Sequence, residues 1–92
     1  MATNATLVVK LDDVQFQIVT VNFDGGWIAD LLRGYSNVLM AKNLCRGDMR
    51  CVCDDLGDVE YYPNCPAKIT QDPLKVIDEI GNKYVYVFDG VW

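Results

Sequence analysis

Histidine is missing altogether, and Ser36 is the only serine among 92 residues. The first absence removes the usual general base near neutral pH and every Ser–His or Cys–His pairing. The second leaves one hydroxyl nucleophile of its type, in a plain Tyr35-Ser36-Asn37 context with no nucleophile elbow. No glycine-rich phosphate loop of either common pattern is present. The chain is therefore read as non-enzymatic, with no cofactor expected.

Positive charge is scarce as well. Eight Lys and Arg stand against thirteen Asp and Glu, a formal net charge of −5. Such a field repels phosphate and argues against direct contact with nucleic acid or an anionic membrane. Long apolar runs are lacking too, since a membrane span needs ~20 apolar residues. The N-terminal stretch has no basic lead-in, is interrupted by Lys10 and is closed by Asp12-Asp13, unlike a secretory signal. The expectation is a cytoplasmic protein, in the host cytoplasm if the source is viral or phage. Asn4-Ala5-Thr6 and Arg46-Gly47-Asp48 then have no expected role as a glycosylation sequon or an integrin ligand.

What is there is globular: 51% hydrophobic and 23% charged residues, enough for one modest core and a single domain spanning 1–92. Leu7, Val9 and Leu11 alternate as one strand face, and Asp12-Asp13 turns the chain into a second strand led by Val14, Phe16 and Ile18. There Gln15 and Gln17 fall on the polar side. Past Ile18 the apolar phase switches to Val19, Val21 and Phe23, which predicts a bulge or burial of both faces. Trp27, Ile28, Leu31, Leu32 and Tyr35 share a helical stripe, with Asp24 as cap and Gly34 near the stop. Val38 to Ala41 reads as a short strand or buried coil. Met49 to Cys53 and Val59 to Tyr62 form a hairpin around Asp54-Asp55-Leu56-Gly57-Asp58, and Pro63-Asn64-Cys65-Pro66 ends it. Asp72-Pro73 starts a short helix that Gly81-Asn82 stops. Tyr84 to Phe88 is apolar on both faces and reads as a central strand.

The fold class is α+β: a small mixed sheet of four to five strands with one main and one short helix. An N-terminal hairpin, a helix and a central C-terminal strand in that order resemble the β-grasp arrangement of ubiquitin-like domains. The resemblance is in element order alone. The final Asp89-Gly90-Val91-Trp92 is unlike the diglycine tail of the modifiers, and conjugation through it is not expected.

Four sulfurs and one acidic hairpin are the candidate sites. Cys45, Cys51, Cys53 and Cys65 are spaced C-x5-C-x-C-x11-C. Without a secretory signal, metal binding ranks before a disulfide as a special role, so a small zinc-binding domain is one alternative. The spacing matches neither a zinc knuckle nor a ferredoxin-type cluster loop. Small core hydrophobes at 51 and 53 with loop thiols at 45 and 65 are the simpler account of the four. Asp54, Asp55, Asp58 and Glu60 concentrate negative charge without the alternation of an EF-hand. Tyr62 beside them and Trp92 at the end are possible interface anchors. Arg46 and Arg50, with Lys42 nearby, form a small basic patch.

Two functional expectations follow. The first is a protein-interaction domain that acts through an exposed strand edge or the face around residues 45–62 and self-associates, because strands apolar on both faces leave more surface than so few helices can cover. The second is a small acidic inhibitor of the phage or mobile-element, anti-defence type. It would place the carboxylates of Asp54, Asp55, Asp58 and Glu60 on a basic nucleic-acid-binding surface of another protein.

Overall fold

The computed structural model describes residues 4–22, 28–53 and 58–92, with the side chains of residues 30, 51–53 and 58 outside the description. The chain runs β1 (Ala5–Lys10), β2 (Phe16–Val21), α1 (Ile28–Leu32), α2 (Val38–Leu44), β3 (Gly47–Cys53), β4 (Asp58–Pro66), β5 (Lys68–Thr70), α3 (Pro73–Ile80) and β6 (Tyr84–Phe88). All six strands join one mixed sheet of order β4-β3-β2-β1-β6, with β5 alongside β2. The α+β class stands, and the sheet is larger than the four to five strands expected.

The β1–β2 hairpin forms where the alternation predicted it. Asp12 closes the turn by accepting from the backbone N–H groups of Val14 and Gln15, each at 2.8 Å. Its register is unbroken from Ala5↔Val21 to Lys10↔Phe16. The phase switch after Ile18 is therefore burial of both faces, and no bulge is needed. On one face Leu7, Val9, Val19 and Val21 pack with Ile28, Leu32, Ala41, Leu44, Met49 and Phe88 in the main core, beneath α1 and α2. On the other, Thr6, Val8 and Ile18 are also buried on the side where α3 crosses β1. There the Asn82 side-chain amide donates to Thr6 Oγ1 at 3.0 Å and Thr20 Oγ1 at 3.4 Å, fixing the exit of α3.

Strand β2 shares its outer edge between two neighbours. Strand β5 takes the start, antiparallel over Phe16–Ile18, and β3 takes the end, parallel at Val21↔Met49. In the gap, the Thr20 N–H donates to the Asp48 carboxylate at 2.9 Å, so a side chain supplies the acceptor that a strand would have given. The tripeptide β5 was not expected from the sequence, being too short to show a period.

Helix α2 replaces the strand or coil expected at Val38 to Ala41. Asn37 caps it, its side chain accepting from the Met40 N–H at 2.9 Å, and only Ala41 and Leu44 are buried. Three apolar residues in sequence, Val38, Leu39 and Met40, look like a core segment but face outward. Helix α3 starts and stops as predicted: Asp72 accepts from the Lys75 N–H at 3.3 Å, Pro73 opens the helix and Gly81 ends it at φ 69°. That left-handed backbone favours glycine. The proposed cap Asp24 and the helical Trp27 lie outside the described residues.

Two further expectations are corrected. Strand β4 does not end at Tyr62 but runs to Pro66, with a register jump from Met49↔Tyr61 to Gly47↔Pro66 that loops out the residues between. Asn64 takes φ 61° there. Strand β6 is not central: it pairs parallel to β1 and lies at the end of the strand order. Apolarity on two faces reports what covers a sheet above and below, whereas edge position concerns backbone groups in the sheet plane. The two are independent, so the pattern of residues 84–88 did not fix the place of the strand. With its last strand at the edge, the sheet departs from the β-grasp order.

Candidate functional site

Of the four cysteines, the structure describes the side chains of Cys45 and Cys65. Cys45 is the C-terminal cap of α2 and is fully buried within the main core. Burial pushes its thiol up to about 12, so at neutral pH the sulfur is a protonated core group. Cys65 is a half-buried free thiol in the looped-out part of β4. The side chains of Cys51 and Cys53 lie outside the description. Among the described residues, no three His, Cys, Asp or Glu gather as a metal cluster would require.

Of the acidic hairpin, Asp54 and Asp55 lie outside the described residues, and Asp58 is described only through its backbone, opposite Cys53. Glu60 is exposed and pairs with Arg50 across the hairpin at 3.5 Å. An exposed pair of this kind is worth about 0–1 kcal/mol, and it offsets locally one of the four charges. Tyr62 is half-buried and lines a hollow of about 430 Å³ with Tyr61, Asn64 and Cys65. Trp92 is half-buried, its ring packed edge-on against Phe88 with centroids 5.5 Å apart. Its indole Nε1 is buried and finds no acceptor among the described residues.

The C-terminal end of α2 is tied by several side chains. A helix leaves its last carbonyls without intrahelical donors, and here side chains supply them. The Gln17 amide donates to Lys42 O at 3.0 Å and to Cys45 O at 2.6 Å. Arg46 donates to Asn43 O at 3.0 Å, and the Tyr61 hydroxyl to Leu44 O at 2.6 Å. The Arg46 guanidinium also lies 4.0 Å over the Tyr61 ring, a cation–π contact at the negative end of a helix. Burial raises the Tyr61 phenol and the Arg46 charge pulls partly the other way. The basic patch is thus committed to the fold at Arg46. Gln17, placed on the polar side by alternation, is only 4% exposed. A lone glutamine on a strand carries no signal that distant carbonyls will bury it. Beside this knot, Leu39, Lys42, Asn43, Pro66 and Ala67 line an open groove of about 420 Å³, and Leu39 at its rim is 75% exposed.

The two ends of the sheet differ in kind. Strand β4 carries the devices that keep an edge from pairing: Asp58, Glu60, Pro63, Pro66 and two register shifts. Strand β6 carries none within Tyr84-Val85-Tyr86-Val87-Phe88: no charge, no proline, and an unbroken register with β1. On the α3 side of the sheet, Val85 is 41% and Val87 46% exposed. On the main-core side, Tyr84 stacks on Tyr86 with centroids 6.4 Å apart, and Tyr84 remains 37% exposed.

In comparisons with known proteins, no family model matches the chain, and no curated protein or solved structure matches it. No helix among the described residues is long and apolar enough to cross a membrane.

Proposed function

We propose that this chain is a non-enzymatic protein-interaction domain that associates with copies of itself through the outer edge of β6. The observation that carries this reading is the contrast between the two ends of one sheet. Strand β4 is guarded by charge, proline and bulges, whereas β6 is an uncharged, apolar strand of unbroken register with half-exposed valines. An edge of that kind presents a row of backbone donors and acceptors, and pairing is its ordinary fate. Burial of Val85 and Val87 adds an apolar term of ~25 cal/mol per Å² removed from water.

The chemistry of the chain agrees. It has no histidine, and burial holds the Cys45 sulfur protonated in the core. Sedimentation velocity from micromolar to millimolar chain tests the proposal. The expected result is a species of about twice 10.4 kDa that Val85→Lys or Val87→Lys converts to monomer without loss of helical and sheet signal. A wild-type chain that stays monomeric over the whole range refutes it.

A further inference from the structure

We infer that the occupant of the β6 edge is a second copy of the chain, docked antiparallel about a two-fold axis through Tyr86. This rests on the edge association proposed above and adds its register. The edge and its flanks read Lys83-Tyr84-Val85-Tyr86-Val87-Phe88-Asp89. Outward from Tyr86, valine matches valine, aromatic matches aromatic, and a cation matches an anion. A two-fold interface needs this self-complementarity, since each residue on one copy meets its counterpart on the other.

Laid antiparallel about Tyr86, Val85 of one copy faces Val87 of its partner, and Tyr84 faces Phe88. Lys83 faces Asp89 twice, once at each end. Val85 and Val87 share one face of the sheet, where both are half-exposed, and Lys83 and Asp89 flank the strand one residue beyond either end. Each copy thus meets valine with valine in the middle and closes both ends with opposite charges, as cross-strand pairs favour. Sliding the partner by two residues removes both charge contacts and sets a valine against a charged end. A parallel arrangement lacks the two-fold relation and leaves like charges side by side.

Neither charge is locked away within the chain. Lys83 Nζ lies 5.6 Å over the ring of its neighbour Tyr84. Asp89 makes a loose 3.8 Å contact with Lys10 and keeps 71% of its side chain exposed. The pairing joins two six-stranded sheets into one continuous sheet across the axis. A strand pair is a small interface, so the association belongs at the weak end of specific contacts.

The register is tested with two charge reversals and their mixture, in low salt where screening is slight. Lys83→Glu alone sets the introduced carboxylate against Asp89 at both ends of the homodimer. Asp89→Lys alone sets the introduced ammonium against Lys83 at both ends. Each homodimer should weaken on the order of tenfold in sedimentation equilibrium. Mixed one to one, the two variants should recover wild-type affinity, because both contacts in the mixed dimer are then attractive. A mixture that associates no better than the separate variants, while wild type dimerises and Val85→Lys does not, overturns the register and leaves edge association standing. A monomeric wild type overturns both.

Discussion

Replacing Gln17 removes two hydrogen bonds at once, and the cost can be worked from the contacts. Gln17 is 4% exposed, and both N–H groups of its amide are in use, on Lys42 O at 3.0 Å and Cys45 O at 2.6 Å. Gln17→Leu keeps the volume but leaves both carbonyls without a donor. A buried group stripped of its partner costs about 1–3 kcal/mol. The Cys45 carbonyl lies in the buried half of this arrangement and should bear the full cost. The Lys42 carbonyl is reached more easily by water and should bear less, for a total of about 2–4 kcal/mol. Domains of this size are stable by only ~5–10 kcal/mol, so the loss is a large fraction, and the melting temperature should fall by about 10–25 °C. Gln17→Glu sharpens the test because a carboxylate donates nothing and brings a charge among carbonyl oxygens. That carboxyl has every reason to hold its proton in the folded state beyond the ordinary ~4.3. The folded variant then binds more protons than the unfolded chain, and its stability must fall as pH rises from there. Urea melts followed by circular dichroism at pH 4 and pH 7, against wild type at each pH, read both effects. A Gln17→Leu variant within ~0.5 kcal/mol of wild type, or a Gln17→Glu variant no more pH-sensitive than wild type, refutes the reasoning.

Two further outcomes follow from the same region. The Cys45 thiol keeps its proton to about 12 in the folded protein, against an ordinary value of 9.0. The unfolded chain therefore releases that proton first. Stability carried by this group is complete below pH 9 and declines by about 1.4 kcal/mol per pH unit above it. Cys45→Ala should flatten that part of the alkaline slope in parallel urea melts, and alkylation mapped by mass spectrometry should label Cys65 in the native state but Cys45 only on unfolding. Tyr61→Phe deletes the hydroxyl that donates to Leu44 O while keeping the ring under Arg46. It should cost about 1 kcal/mol, and Arg46→Ala should cost a similar amount by removing the contact from the other side; thermal melts that leave both variants at wild-type stability would contradict this.

Local rules were legible in the sequence wherever a short stretch decided its own geometry. Asp72-Pro73 and Gly81 delimit α3 because a cap, a fixed φ and a left-handed stop each act within a few residues. Asp12 sets the first hairpin for the same reason. What failed depended on partners distant in the chain. Gln17 is buried by carbonyls 25 and 28 residues away, so alternation put it on the wrong side. Helix α2 carried its Asn37 cap in plain view, but its outward-facing Val38, Leu39 and Met40 looked like core. The position of β6 was hidden because side-chain polarity describes faces and is silent about edges. Of the anticipated site residues, Cys45 is buried in the core, Trp92 is half-buried against Phe88 and Glu60 is paired with Arg50. Association through an exposed strand edge was anticipated, but residues 84–88 read as a central strand and not as that edge.

Helix α2 spans seven residues, too few to persist on its own in water. Its end is fastened by groups from β2, from β4 and from Arg46 just beyond it. The helix therefore has no private way to unravel: loosening its last turn strands the amide of one strand and the phenol of another. Its unfolding is bound to that of the sheet, and the groove beside it should keep its shape for as long as the sheet survives.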